Sequence, residues 1–150
     1  MEKRAYGVEE FLSRPKQLEE EIRGDIDHIA SLRSIVEKTT TQLSFTAGRN
    51  PSKDEKMFEA VMIQIAEEEA ALAAKQKSLV EMKLEVENFI KGIPNEKQQR
   101  MLRLKYIKGL SFPDIRRIMD LGKTNTYKLY KKAIAAAAIK QQGQNGAAGL

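Results

Sequence analysis

The 150-residue chain has no cysteine, no tryptophan, one histidine, four prolines and only 6% aromatic residues. Without cysteine there is neither a disulfide framework nor a thiolate metal site. The lone His28 sits among Asp25, Asp27 and Ile29 in a helical pattern and reads as a solvated helix position rather than a ligand or a base. The start, MEKRAYGVEEFL, lacks the apolar core of a signal peptide. No run approaches the roughly 18 apolar residues of a membrane span. A soluble, cytoplasmic protein with no membrane partner and no cofactor is expected. Catalysis finds little support. Glu67, Glu68 and Glu69 are consecutive, and on a helix such side chains diverge. Gly122-Lys123-Thr124 is similar to the end of a phosphate-binding loop, but the first glycine of that motif falls on Arg117 and no strand precedes it. The chain is therefore read as a non-enzyme.

What is present is charge, distributed unevenly. Residues 1–50 hold 8 Lys/Arg against 9 Asp/Glu, residues 51–91 hold 6 against 9, and residues 92–150 hold 12 against 3. The whole net charge of +5 thus comes from a C-terminal part of +9 attached to a neutral-to-acidic scaffold. That asymmetry points to nucleic acid as the partner of one end.

The scaffold carries heptads. Val8, Pro15, Ile22, Ile29, Val36 and Leu43 lie seven apart, with Phe11, Leu18, Asp25, Leu32 and Thr39 as the complementary row. A second series, Phe58, Ile65, Leu72, Leu79 and Val86, is unbroken, while its companion row (Val61, Glu68, Lys75, Met82, Phe89) has two charges in the middle. Such spacing predicts long helices packed lengthwise. Pro15 predicts a break, with a short helix over 6–13 and the main one starting near the proline. Thr39–Lys53 reads as a loop of about 10–12 residues, and Ser52 with Glu55 as a capping box. Two helices of similar length joined by one loop predict an antiparallel hairpin over 1–91. A solitary pair buries little, so self-association as a homodimer is expected, with Phe58, Ile65, Leu72, Leu79 and Val86 as the oligomerisation row.

Gly92-Ile93-Pro94 ends the hairpin. Asn95 with Gln98 caps a helix over 95–107, whose buried set is Met101, Leu102 and Leu104, with Tyr106 and Ile107 as further candidates. Ser111 with Asp114 opens another helix, with Phe112, Ile115, Ile118 and Met119 on its apolar face. Asp120-Leu121-Gly122 breaks it, and a last helix runs over about 122–138, ahead of a disordered tail at 141–150. This is a helix-turn-helix pattern over 92–140. Lys123, Thr124 and Asn125 occupy the end of the last helix that can enter a groove, and Lys128 follows on the same face. Asparagine can pair with adenine and lysine can donate to guanine. Arg116, Arg117, Lys131 and Lys132 are placed to reach phosphates, and so is Tyr127, whereas Tyr130 is expected to pack. The competing role for Thr124 and Asn125 is local bonding to the helix backbone; for Lys131 and Lys132 it is a solvated face.

With these residues in place, RMLRLKYIKGLSFPDIRRIMDLGKTNTYKLYKKAI resembles region 4 of the sigma-70 factors. The whole order, over roughly Val8 to Ile134, is similar to a phage and prophage family of Gram-positive bacteria. In that family a coiled-coil region with a Thr/Ser-rich middle loop precedes a region 4-like domain; small phage regulators of the ArpU and RinA type are related. The resemblance implies that Lys123, Thr124, Asn125 and Lys128 match base-reading positions, and that Thr126, Leu129 and Ala133 match core positions. Three residues depart from the pattern: Arg116 where a small residue is usual, Asp120 in the turn, and Gly122 as the cap of the last helix. The regions of a sigma factor that contact polymerase are absent from the pattern.

The expectation is an all-α protein, a long antiparallel helical hairpin followed by a three-helix, region 4-like domain. Its expected function is that of a phage-type, sequence-specific regulator binding double-stranded DNA, acting on late or packaging genes in a bacterial host. Alternatives are a packaging component resembling a small terminase subunit and an adaptor that docks on host RNA polymerase without DNA specificity of its own.

Overall fold

The computed structural model describes the backbone of residues 2–45 and 51–148, and the side chains of residues 7–41, 53 and 55–143. Among these residues there are five α-helices and no strand: α1 (Glu2–Phe45), α2 (Pro51–Lys91), α3 (Glu96–Leu102), α4 (Phe112–Met119) and α5 (Lys123–Ala148). A π-helical turn, Arg103–Ile107, extends α3. No helix among the described residues is long and apolar enough to cross a membrane.

Heptad patterning decides which side of each long helix is covered. In α1, Val8, Pro15, Ile22, Ile29 and Leu32 are buried, and Phe11, Leu18, Asp25, Val36 and Thr39 are half-buried. Leu43 and Ser52 lie outside the described side chains. In α2, Ile65, Val86 and Phe89 are buried, and the remaining members of both rows are half-buried. The apolar stripe of a 3.5-residue repeat keeps returning to one side, which is why both rows stay covered over so many turns.

Three expectations are corrected. Pro15 does not break α1; it lies inside the helix with its ring buried. The proline removes one helical hydrogen bond, but it occupies a seam position where its ring adds apolar contact that offsets that loss. The expected loop at 39–53 is largely helical, since α1 continues to Phe45 and α2 begins at Pro51; residues 46–50 lie outside the described residues. Thr40 and Thr41 return their hydroxyls to the carbonyls of Val36 and Glu37, four residues back, and so satisfy themselves inside the helix. Finally, α5 runs through the expected tail to Ala148. The alanines at 135–138 have the highest helix propensity of any residue and carry the helix onward.

The chain forms two compact units, residues 18–78 and residues 1–17 with 79–150. In the first, α1 and α2 run antiparallel around Ile29, Leu32 and Ile65, with Val36, Val61 and Leu72 against them. The charged seam positions meet each other. Lys75 Nζ donates to Asp25 Oδ2 at 2.8 Å, which raises the lysine's pKa above its ordinary value. Glu68 Oε1 lies 3.2 Å from His28 Nε2, and Arg33 pairs with Glu69.

In the second unit the ends of α1 and α2 share one core with the C-terminal helices. Val8, Leu12, Val86, Phe89, Ile90 and Ile93 are buried in the same cluster as Met101, Leu102, Tyr106, Ile115, Ala133, Ile134 and Ala137. Phe11 meets Phe89 edge-on, with ring centroids 5.1 Å apart. Both α3 and α4 pack on α5.

Candidate nucleic-acid interface

Two caps set the geometry of the C-terminal helices. Asn95 Oδ1 accepts from the Gln98 N–H at 3.0 Å at the start of α3. Ser111 Oγ accepts from the Asp114 N–H at 3.4 Å at the start of α4 and itself donates to Asp114 Oδ2 at 3.0 Å. Both satisfy an N–H that the first turn of a helix leaves without a partner. Asp114 also pairs with Arg117. Along α4, Ile115 is fully buried and Phe112 and Met119 pack against the core. Ile118 instead faces solvent, at 46% exposure, off the stripe that the other three define.

The turn closes on Asp120, which adopts the left-handed conformation (φ 54°, ψ 52°). Its N–H and that of Leu121 both bond to the Arg116 carbonyl. Aspartate is thus used where glycine or asparagine is the ordinary choice, and the two hydrogen bonds hold it there. Gly122 takes the cap position of α5. Its carbonyl accepts from the Thr126 N–H at 2.9 Å and from the Thr126 hydroxyl at 2.8 Å. Thr126 is therefore a buried polar residue, 1% exposed, whose hydroxyl is satisfied.

With that register, α5 turns Thr126, Ala133, Ile134 and Ala137 inward, and Leu129 and Tyr130 pack against the same core. Lys123, Thr124, Asn125, Tyr127, Lys128, Lys131 and Lys132 are all exposed. At 100° per residue, Thr124, Lys128 and Lys131 lie at the centre of the outward face. Lys123 and Tyr127 flank it toward α4, where a cleft of about 310 Å³ is lined by Phe112, Pro113, Arg116, Lys123, Thr126 and Tyr127. Asn125 flanks it on the other side, in a cleft with Lys97, Arg100, Met119 and Leu129. Lys131 Nζ stands 4.8 Å from the centroid of the Tyr127 ring. Arg116 is half-buried along the α4 cleft, and Arg117 is held by Asp114. Of the residues singled out from sequence, Thr124, Lys128 and Lys131 share one surface, with Lys123, Arg116 and Tyr127 beside it and Asn125 and Lys132 on its far edge.

The expected oligomerisation row is placed in the seam within the chain. Ile65 packs with Ile29 and Leu32 of α1, and Val86 lies in the core that holds Val8 and Leu12; Phe58, Leu72 and Leu79 are half-buried. Among the described residues of the unit 18–78, the large apolar side chains left exposed are Ile26, Ile35, Met57, Met62 and Ile63.

A hydroxyl chain that the sequence did not advertise lies behind α5. Tyr130 donates to Glu9 Oε1 at 3.4 Å, so the 2.6 Å contact between the two phenols is a donation from Tyr106 to Tyr130. Burial, and for Tyr106 this donated bond, push both phenols above the ordinary tyrosine range. Among the described residues no group of three or more His, Cys, Asp or Glu side chains converges to hold a metal.

These features define an all-α protein in which a long helix pair is followed by three shorter-spaced helices around a common core. Residues 39–138 match the family described as a protein of unknown function (DUF1492), and the chain belongs to that family. No curated protein and no solved structure matches the chain.

Proposed function

We propose that the protein is a phage-type, sequence-specific DNA-binding transcription regulator of late or packaging genes, which lays α5 in the major groove and performs no catalytic step. The observation that carries this reading is the division of α5 into a buried face and an outward face centred on Thr124, Lys128 and Lys131. A helix entered through a capped turn, with polar and cationic side chains over its first turns, has the shape and hydrogen-bonding groups that a groove requires. The charge of the C-terminal part supports the same partner, as does the resemblance to sigma region 4 and to phage regulators. Lys123, Thr124, Asn125 and Lys128 read bases; Arg116, Arg117, Tyr127, Lys131 and Lys132 hold phosphates. A homodimer places two such readers on one site.

The test is selection of a duplex from a random pool, followed by affinity measurements against salt. Four cationic phosphate contacts per protomer, two from α4 and two from α5, correspond to a slope of log K on log salt of about −3.6 for each protomer. Replacing Lys123, Asn125 and Lys128 together by alanine abolishes preference for the selected duplex and leaves the oligomeric state unchanged. Unchanged preference in that variant refutes the recognition helix. Large rings in light scattering indicate a packaging component instead, and retention of polymerase without duplex affinity indicates an adaptor.

A further inference from the structure

The outward face of α5 has two flanks, and each meets a neighbouring helix. On the α4 side the cleft is lined by Arg116 and Lys123. On the other side α5 lies against α3, and a cleft of about 390 Å³ opens between them. Met119, Leu121 and Leu129 give this second cleft its apolar lining, and Asn125 lines it from α5. Leu121 belongs to the turn and Asn125 to the first turn of α5, so the cleft lies at the end of α5 that enters a groove. Its α3 side consists of Glu96, Lys97 and Arg100.

Local chemistry holds α3 in that place. Asn95 caps it, while Met101 and Leu102 are buried in the core, and Glu96, Lys97 and Arg100 are left exposed. Neither Lys97 nor Arg100 forms an ion pair among the described residues, and Glu96, the carboxylate of the cleft, bonds to neither. Asp120 lines a different hollow, together with Arg116 and Arg117. Two cations against one carboxylate leave the α3 side of the cleft positive. Lys132, seven residues after Asn125, returns to the same flank of α5 and adds to that charge. A helix with its side chains is about 10–12 Å across and the major groove about 12 Å wide, so a helix laid in the groove has a phosphate backbone along each flank.

We infer that Lys97 and Arg100 bind the phosphate backbone of the strand on the Asn125 side, opposite the strand held by Arg116 and Arg117, so that α3 and α4 straddle the groove that α5 reads. This assignment rests on the proposed DNA-binding function. It extends the DNA-binding surface to α3, outside the helix-turn-helix pair.

The experiment uses the full chain with Lys97→Gln and Arg100→Gln, singly and together. Both side chains are exposed, so the melting temperature is expected to hold, and a single variant that keeps it carries the test by itself. Affinity for the selected duplex and for a scrambled one is measured between about 50 and 200 mM salt. Loss of each contact reduces the magnitude of the salt slope by about 0.9, so the double variant loses about 1.8 per protomer on both duplexes while the preference between them is kept. Phosphate-ethylation interference then separates contact from net charge. The double variant loses interference on one strand of each half-site, and Arg116→Gln loses it on the other. An unchanged slope, or a weakening spread evenly over both strands, overturns the α3 contacts and leaves the recognition helix standing. A loss of preference with the slope intact overturns them as well. Absence of any duplex binding by the unmodified protein overturns both the contacts and the DNA-binding function.

Discussion

Leu12→Ala tests whether the start of α1 belongs to the same core as the helices that carry the candidate interface. Leu12 is 0% exposed and sits in one cluster with Met101, Leu102, Ile115 and Ala133. Removing most of a fully buried leucine costs the transfer energy of the lost carbons and leaves a cavity, together about 3–4 kcal/mol. For a chain of this size that lowers the melting temperature by roughly 6–16 °C. Ile63→Ala removes a similar volume at a site that is 60% exposed, and is expected to stay within about 0.5 kcal/mol. Thermal melts by circular dichroism give the size of the effect, and urea titration at constant slope confirms that stability, not compactness, has changed. Amide exchange then locates it: residues 126–137 of α5 lose protection together with the first turns of α1. If the melting temperature falls by no more than it does in Ile63→Ala, or if α5 keeps its protection while only α1 opens, Leu12 does not support that core.

Three further outcomes follow from particular contacts. Lys75→Asp sets two carboxylates together in the seam and lowers the melting temperature; adding Asp25→Lys restores it, and a double variant no better than the sum of the two single changes refutes the pairing. Stability falls as pH rises above about 10, the ordinary phenol value, because the folded protein keeps the protons of Tyr106 and Tyr130 when the unfolded chain has released them; below that pH neither group contributes a dependence. Lys105 acts in the opposite sense, since its folded ammonium is disfavoured and gives up its proton first as pH rises toward 10.5. Comparing Tyr106→Phe with the unmodified chain at each pH isolates the phenol, and identical alkaline melting curves refute its assignment. Asp120→Gly removes the cost of a left-handed side-chain-bearing residue and raises stability by up to about 1 kcal/mol in denaturant titration; a loss of stability shows that the aspartate side chain contributes more than its conformation costs.

Patterns that depend on near neighbours were legible without coordinates. Seven-residue spacing marked the covered rows of α1 and α2, because a helix returns to the same side at that interval whatever it packs against. Asn95 and Ser111 marked the starts of α3 and α4, because a cap bonds to an N–H only three residues on. The division of α5 into covered and outward faces followed from the same periodicity. Local signals failed where a partner distant in sequence overrode them. Pro15 reads as a break by its own chemistry, and its buried place in the seam holds the helix together. The threonines before Phe45 read as loop, yet they bond back into the helix that continues through them.

The sequence by itself determined an all-helical chain, its two heptad seams, its capped turn and the concentration of positive charge at one end, all of which are set by the order and spacing of residues. Tertiary structure alone decided which residues those features meet. Glu68 and Lys75 in one row and Asp25 in another look like flaws, and only packing gives them partners, Lys75 with Asp25 and Glu68 with His28, which comes from a position that carries no pattern. The same holds for the core that joins Val8 and Leu12 to Met101, Ile115 and Ala133. Apolar burial is indifferent to distance along the chain, so nothing local to Leu12 names the helices that cover it.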